Sequence, residues 1–336
     1  MQLEDKIDVV KNILKDKKVA LGFSGGADST LIAYLSSEVA SDTLAITIDN
    51  HIFPQGFIEN TKRIAESFGI RHEVIDINFY EDESFLLNDS SRCYGCRNLM
   101  YEKIEDLAYR EGFDFICDGN NISDLVIDRP GILITYAKGF KTPFIEARLS
   151  SKEIHEYLDW KNISYSKSTT CLATRIPTDT EVNPEKIERV SYCEDYILAN
   201  SSCEIVKVRD LGKSCRIEVD NLEEIQKDDV FGDVSGELKR QGFKNVELDL
   251  KEIDNDEFIS LDYKAGSFSY HLPFTISIEN TKEQLDGEIL SKNGTEISLD
   301  NIKIFENGLI EGNGFESYEK ALDSFMQLLP KLRRNI

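Results

Sequence analysis

The chain has 336 residues, 40% of them hydrophobic and 30% charged, which is an ordinary balance for a globular protein of two or three domains. No apolar run reaches the length of a membrane span, and a formal net charge of −23 argues against a large nucleic-acid-binding surface. The N-terminus does not resemble a secretion signal, so we expect a cytoplasmic protein whose seven cysteines form no disulfide framework.

Residues 1–165 alternate between helical and strand patterns. The patterns predict strands over 19–23, 43–49, 71–77 and 113–117, and helices over 1–18, about 31–39, 57–68 and 99–110. The strands are largely apolar, as expected where both faces of a sheet are buried. The alternation predicts a doubly wound, parallel α/β domain that binds ligands at the carboxyl ends of its strands.

A glycine turn joins the first strand to the next helix. Its spacing is neither that of a Walker A loop nor that of a dinucleotide fingerprint. Glycines let backbone amides approach an oxyanion, and a helix N-terminus adds positive partial charge. The expected phosphate-binding residues are Ser24, Gly25, Gly26, Asp28, Ser29 and Thr30, and Asp28 is also the expected Mg²⁺ ligand. The alternative is an ordinary strand–turn–helix corner.

A second polar stretch, Asp118-Gly119-Asn120-Asn121, follows the strand over 113–117 and has the residue types of a turn. The carboxyl end of this strand lies at the same sheet edge as the glycine turn. We therefore expect Asp118 and Asn121 to contact the bound nucleotide.

Three cysteines stand apart from the apolar patterns. Cys93 and Cys96 form a Cys-x-x-Cys pair before the helix over 99–110, and Cys171 lies in a connector over 161–180 that is typical of an active-site loop. The pair fits a zinc half-site, a redox dithiol or an iron–sulfur half-site, but no fourth ligand for a closed zinc site is evident. Three thiolates suit a cubane cluster with one open iron, and the alternative is two cysteines without a shared partner.

The other four cysteines lie in apolar or strand patterns and are predicted to be small buried side chains. They are Cys117, Cys193, Cys203 and Cys215.

Residues 166–252 predict a small α+β domain. Its elements are helices over 184–198 and 230–241 and strands over 205–210, 214–219 and 245–250. Lys207 and Arg209 are two apart on a strand, so both project from one face. With Arg97 and Arg175 they are the cations expected near a phosphorylated substrate, the alternative being a solvated strand face.

Residues 253–336 change to short alternating runs. Asn293-Gly294 predicts a hairpin turn, and residues 318–332 predict a closing helix. No pattern here carries chemistry. We predict a β-rich C-terminal appendage for oligomerisation or partner contact, and expect a homo-oligomer.

The glycine turn, Ser-Gly-Gly-x-Asp-Ser, resembles the PP-loop of ATP pyrophosphatases, which split ATP between its α- and β-phosphates. Over residues 1–250 the chain resembles the LarE-type ATP-dependent sulfur transferases, which serve synthesis of the nickel-pincer cofactor. The segments that carry this resemblance are 22–30, 92–96, 118–121 with Asp124, 128–131, 171–177, 208–210 and 216–219.

The resemblance implies an enzyme that uses ATP and Mg²⁺ to adenylate a carboxylate of pyridinium-3,5-dicarboxylate mononucleotide and then converts it to a thiocarboxylate. Family members with cysteines at the positions of Cys93, Cys96 and Cys171 hold a 4Fe–4S cluster, which implies such a cluster here and an external sulfide donor. Other members sacrifice the sulfur of the cysteine that matches Cys171.

The expected catalytic residues are Cys171, Asp28 and Arg175, and the expected ligands of the substrate phosphate are Arg97, Lys207 and Arg209. The family pattern has a lysine at position 97 and an arginine at position 207, so bidentate phosphate binding is weakened at Lys207. The alternatives from other classes are a PP-loop tRNA thiolase, against which the acidic charge counts, and a zinc-stabilised nucleotide sensor.

Overall fold

A parallel sheet forms the centre of the N-terminal domain. The computed structural model describes residues 2–127, 131–167, 170–253, 259–285, 291–292 and 294–335. Four strands pair in the order β3-β2-β1-β4, all of them parallel. Their bounds are Lys18–Gly22 (β1), Asp42–Asp49 (β2), Arg71–Asp76 (β3) and Phe115–Cys117 (β4). The predicted α/β class is confirmed.

Helices cover both faces of this sheet. They are α1 (Leu3–Leu14), α2 (Ala27–Val39), α3 (Phe57–Ser67), α4 (Glu83–Leu87), α5 (Arg92–Arg110), α6 (Ile132–Lys138), α7 (Pro143–Glu146) and α8 (Ser151–Trp160). Val19 and Leu21 of β1 pack in one apolar cluster with α1, α2 and α8, whereas Ala20 packs with α5 in another. Alternate residues of a strand point to opposite faces, so the apolar run of β1 serves two cores.

A three-stranded sheet follows. It consists of β5 (Val206–Asp210), β6 (Ser214–Val219) and β7 (Asn245–Leu248), with helices α9 (Pro184–Ala199), α10 (Leu222–Ile225) and α11 (Asp228–Arg240). Val208 and Ile217 are fully buried against α9 and α11. Lys207 and Arg209 therefore share the other face of β5, as their spacing predicts.

The C-terminal residues form a six-stranded antiparallel sheet, which confirms the predicted β-rich appendage. Its elements are β8 (Asp262–Lys264), β9 (Ser267–His271), α12 (Ile278–Lys282), β10 (Ser291–Lys292), β11 (Glu296–Ser298), β12 (Ile302–Phe305), β13 (Leu309–Gly312) and α13 (Tyr318–Leu328). Phe325 of α13 is fully buried in a cluster that includes Ile122 and Ile145 of the first domain. The appendage thus packs directly on the domain of the parallel sheet, while the boundaries 1–165, 166–252 and 253–336 stay predictions.

Four predicted helix bounds are wrong by four residues or more. The leading helix ends at Leu14 and not at residue 18, and the helix predicted from about residue 31 begins at Ala27. The helix predicted from residue 99 begins at Arg92, because the Asp89 carboxylate accepts hydrogen bonds from the Ser91 amide and hydroxyl and turns the chain into α5. The closing helix ends at Leu328, and Pro330 lies in a 3₁₀ turn, since proline cannot continue the hydrogen-bond ladder.

Some predicted features lie outside the described residues, namely Asn293 of the hairpin turn and residues 128–130 and 168–169. Within the part of the chain that is described, no helix has the length and hydrophobicity to span a bilayer.

Candidate active site

The glycine turn between β1 and α2 has the geometry of an anion cradle. Gly25 has φ +70°, where an added Cβ would also lie 3.3 Å from Ile64 Cδ1. The Ser29 hydroxyl donates to the Gly26 carbonyl at 3.2 Å and accepts from the Ser24 amide at 3.2 Å, which fixes the turn. Gly26 is the residue before the first turn of α2, so the amides of that turn point towards the space in front of the helix.

The polar stretch after β4 closes against this turn. Asn121 Nδ2 donates to Asp28 Oδ1 at 3.0 Å. A Cβ added at Gly119 would lie 2.8 Å from Asp28 Cβ and 3.1 Å from the Ser29 amide nitrogen. Only glycine permits this approach, so the two segments hold Asp28 between them.

Asp118 is the centre of a buried hydrogen-bond network. Its Oδ2 accepts hydrogen bonds from the Tyr101 hydroxyl at 2.6 Å, from Asn120 Nδ2 at 2.5 Å and from the Thr135 hydroxyl at 2.8 Å. Arg97 lies 3.5 Å from the same oxygen and stacks over the Tyr101 ring. Burial, and then the neighbouring Asp118 charge, raise the pKa of Tyr101, so this phenol stays a proton donor at neutral pH.

The Arg97 side chain is divided between this network and the cavity. Its Nη2 donates to the Tyr101 hydroxyl at 2.5 Å and to Asn120 Oδ1 at 3.0 Å. Its Nε is buried and has no hydrogen-bond partner among the described residues. The network therefore fixes Nη2 of Arg97, while the side chain also lines the cavity.

A cavity of about 650 Å³ joins the glycine turn to the cysteines. Of the predicted site residues, those that line it are Ser24, Gly26, Asp28, Ser29, Asp118, Arg97, Cys93, Cys96, Cys171 and Lys207. Those that do not line it are Gly25, Thr30, Asn121, Arg175 and Arg209. The same cavity has an apolar side, with Ile48, Phe53 and Phe57 among its residues.

The three cysteines meet in this cavity from two segments. Cys93 is exposed and Cys96 half-buried in the first turns of α5, and half-buried Cys171 precedes a 3₁₀ turn over Leu172–Arg175. Burial raises the pKa of Cys96, and the charges of Cys171 and Cys93 raise it further. Burial likewise raises the pKa of Cys171.

This donor set fits a cluster with one open position. The four other cysteines are buried, and Cys117, Cys193, Cys203 and Cys215 pack in apolar surroundings away from the cavity lining. Among the residues that the structure describes, no fourth cysteine lines the cavity; three thiolates would leave one iron of a 4Fe–4S cluster open, whereas a closed structural zinc site needs four ligands.

Arg175 is a buried residue and not part of the cavity wall. It is 2% exposed, and its Nε pairs with Glu194 Oε1 at 2.6 Å. Its Nη atoms donate to the Thr174 and Thr170 hydroxyls at 2.9 and 3.1 Å, on either side of Cys171. Burial raises the pKa of the Glu194 carboxyl, and the Arg175 charge opposes that shift. Arg175 thus holds the Cys171 segment onto α9.

Lys207 and Arg209 differ although they share a face of β5. Arg209 forms two bonds of 2.9 Å with the Glu218 carboxylate and donates to the Thr174 carbonyl at 2.7 Å. Lys207 lines the cavity, and its pKa is lowered by burial and then by the charges of Arg175 and Arg209. A phosphate near Lys207 would relieve that repulsion.

Sequence reasoning missed several residues of the site. Ser166 donates its amide to the Gly25 carbonyl at 2.8 Å, and Lys167 beside it lines the cavity. His155 of α8 also lines it and stacks on Tyr165. The connector over 161–180 was predicted to be an active-site loop. The hydrogen bond between Ser166 and Gly25, which the sequence does not reveal, is what identifies Ser166 and Lys167 as site residues.

The chain is similar to a family model over its N-terminal quarter and to several known proteins over most of its length. The family model described as NAD synthase matches residues 2–90. An uncharacterized Synechocystis protein is 28% identical over 74% of this chain and 95% of its own length. An uncharacterized Methanocaldococcus jannaschii protein is 29% identical over 72% of this chain and 93% of its own.

Two relatives with named activities match different lengths of the chain. A tRNA-specific 2-thiouridylase of Fusobacterium nucleatum is 42% identical over 62 residues, 18% of either chain. The pyridinium-3,5-bisthiocarboxylic acid mononucleotide synthase of Lactiplantibacillus plantarum is 26% identical over 70% of this chain and 87% of its own. These similarities confirm the predicted resemblance: residues 2–90 match the NAD synthase model, and most of the chain is similar to the L. plantarum synthase.

Proposed function

We propose that the protein is an AMP-forming, ATP-dependent sulfur transferase that converts a carboxylate of pyridinium-3,5-dicarboxylate mononucleotide to a thiocarboxylate. The observation that carries the proposal is that the glycine turn and all three cysteines of the motif line one cavity. An activated acyl group formed at one end is thereby within the same enclosed space as the thiols. The similarity to the L. plantarum synthase over most of both chains supports this substrate class.

The activation step uses the glycine turn. A substrate carboxylate oxygen attacks the α-phosphorus of ATP, the bond to the β-phosphate oxygen breaks, and pyrophosphate leaves. The amides at the start of α2 stabilise the phosphate charge, and Asp28, held by Asn121, is the proposed Mg²⁺ ligand. The product is an acyl-adenylate, whose AMP is a far better leaving group than oxide.

The sulfur step uses the cysteine end of the cavity. There a sulfur nucleophile attacks the acyl carbon, and AMP departs with the bonding electron pair. Cys93, Cys96 and Cys171 would hold the proposed 4Fe–4S cluster, which would supply an open iron for an external sulfide. Under the sacrificial alternative, Cys171 itself loses its sulfur. The sulfide donor, the homo-oligomer and the cytoplasmic location stay predictions.

The decisive experiment measures pyrophosphate release from ATP with the pyridinium dicarboxylate mononucleotide, followed by mass analysis of the product. We expect substrate-dependent pyrophosphate and a thiocarboxylate when sulfide is supplied. Bulk tRNA at moderate salt is the comparison substrate, since a thiolase would act on it instead. If the protein binds ATP but releases no pyrophosphate in the presence of either substrate, it is a nucleotide sensor and the proposal is wrong.

The cluster assignment has its own test, which does not depend on turnover. After anaerobic purification we expect about four irons per chain, lost alike in Cys93→Ala, Cys96→Ala and Cys171→Ala. Cys203→Ala is the matched control, because Cys203 is buried in the core of the second domain. Normal iron content in any one of the three site variants would contradict the three-ligand assignment.

Gly119→Ala should weaken ATP binding by displacing Asp28 and the start of α2. The added Cβ would lie 2.8 Å from Asp28 Cβ, and overpacking of this kind costs about 1–3 kcal/mol, or about 5- to 150-fold in affinity. The measurement is a calorimetric ATP titration. Gly232→Ala on α11 is the control, since nothing lies within 4 Å of its added Cβ. Equal ATP affinity in both variants would refute the close approach.

Lys207→Arg should flatten the pH dependence of substrate binding. The lowered pKa of Lys207 means that the wild-type lysine loses its charge at a lower pH than an ordinary lysine, so affinity for a phosphorylated substrate falls as pH rises through that pKa. Arginine stays charged and binds phosphate through two donors. We expect the KM for the mononucleotide to rise with pH, in the wild type only, at pH values below those at which an ordinary lysine loses its charge. If KM depends on pH in the same way in the wild type and in Lys207→Arg, the substrate phosphate does not bind at Lys207.

A further inference from the structure

We propose that Asn88 is a positioning residue that sets the Cys171 segment against the cysteine-bearing turn of α5. The inference rests on the proposed function in one respect, that the three thiols act as one site. Asn88 itself does not line the cavity. It lies in the short link between α4 and α5, five residues before Cys93, and the sequence patterns do not single it out.

The Asn88 side chain bridges two segments that are distant in sequence. It is 2% exposed, and its Nδ2 donates to the carbonyls of Pro177 at 2.8 Å and Thr180 at 2.7 Å. Its backbone carbonyl accepts from the Asp179 amide at 2.9 Å. One residue therefore satisfies three backbone groups of the chain that follows Cys171.

The oxygen of the Asn88 side-chain amide contacts α5, the helix that carries Cys93 and Cys96. Asn88 Oδ1 accepts from Arg92 Nη1, which also donates to the Ala173 carbonyl at 3.0 Å. Arg92 Nη2 lies 3.3 Å from Cys93 Sγ. Asn88 and Arg92 thus connect the residue before Cys93 to the residue two after Cys171.

These bonds substitute for regular structure between the two segments. Among the described residues near Cys171, the 3₁₀ turn Leu172–Arg175 is the regular structure, and these residues belong to none of the three sheets. Leu172 donates its amide to the Ile52 carbonyl at 2.9 Å, which ties the segment to the loop after β2 but not to α5. Apolar packing of Leu172 and Ile176 in the cluster beside Cys96 brings the two segments together, and we infer that the Asn88–Arg92 bridge fixes their relative position.

The backbone at Asn88 allows its side chain to be deleted without strain. Asn88 has φ +58°, in the left-handed region that glycine adopts freely. Asn88→Gly therefore removes the side-chain bonds and keeps the turn. Asn162→Gly is a matched control, because Asn162 has φ +52° and is an exposed residue after α8.

The test measures the thiol geometry directly, on metal-free reduced protein. Dibromobimane bridges nearby thiols, and mass spectrometry of the peptides counts bridges that join Cys171 to Cys93 or Cys96. We expect the yield to fall at least about tenfold in Asn88→Gly, since each lost hydrogen bond contributes about 1 kcal/mol, and to stay at the wild-type level in Asn162→Gly. Asn88→Asp, which keeps the acceptor for Arg92 and loses the two donors, should fall between them.

A wild-type bridging yield in Asn88→Gly would overturn the proposal. Calorimetric ATP binding and thermal unfolding check that the fold is retained, and Asn88→Asp is the substitute variant where Asn88→Gly does not fold. The result is separable from the proposed function. If bridging falls in Asn88→Gly but the wild type releases no pyrophosphate, Asn88 is a positioning residue and sulfur transfer is refuted. If the wild type releases pyrophosphate but bridging does not fall in Asn88→Gly, only the role of Asn88 is refuted.

Discussion

Cys171→Ser is expected to separate activation from sulfur transfer. Cys171 lines the cavity but is not part of the glycine turn that we propose binds the phosphates, so pyrophosphate release should stay within about threefold of the wild type. Thiocarboxylate formation should fall about a thousandfold or more, because a serine hydroxyl is neither a sulfur source nor a soft metal ligand. The measurement pairs a pyrophosphate assay with mass analysis of the product from the same reaction.

The other cysteines distinguish the two sulfur mechanisms. If a cluster delivers the sulfide, Cys93→Ser and Cys96→Ser should lose thiocarboxylate formation as fully as Cys171→Ser. If Cys171 is sacrificed, both should retain one turnover, and the protein should lose the mass of one hydrogen sulfide. Cys203→Ser is the control, since its thiol is buried in the core of the second domain and donates to the Asn221 carbonyl at 3.6 Å. A fully active Cys171→Ser would refute both mechanisms.

Sequence prediction works best where a structural feature depends on local backbone geometry. The turn over residues 24–30 needs glycine at a positive φ and a helix start, and local sequence encodes both. The order of the sheet follows from apolar runs that alternate with helices. A shared site for Cys93, Cys96 and Cys171 was predicted from the chemistry of three thiolates and from the resemblance, since no periodicity relates residues so far apart.

The predicted cations illustrate what a pattern does not contain. Alternation places Lys207 and Arg209 on one face of β5, and the structure agrees. It does not reveal that Glu218 on β6 lies in position to pair with Arg209, because that depends on the antiparallel register in which Lys207 faces Glu218. Asn88 was missed for a related reason, since its partners are backbone carbonyls almost ninety residues away.

Arg175→Met is expected to destabilise the fold by about 3–5 kcal/mol, because it leaves the Glu194 carboxylate buried without its partner. The pair is almost fully enclosed, at 2% and 6% exposure, and Glu194 also accepts from the Val208 amide at 2.9 Å. Urea unfolding measures the loss. Arg216→Met is the control, since Arg216 and Glu247 form an exposed pair at 3.7 Å that contributes at most about 1 kcal/mol.

The double variant Arg175→Met/Glu194→Met decides whether Arg175 is catalytic or positioning. Removing both charges should recover most of the lost stability, with about 1–3 kcal/mol still missing for the unpaired Val208 amide. Pyrophosphate release should then return towards the wild-type rate, while sulfur transfer stays low because Thr170 and Thr174 have lost the donors that hold them beside Cys171. If the single variant is as stable as the wild type but releases no pyrophosphate, Arg175 acts on the substrate, and the sequence-based prediction of a catalytic arginine holds.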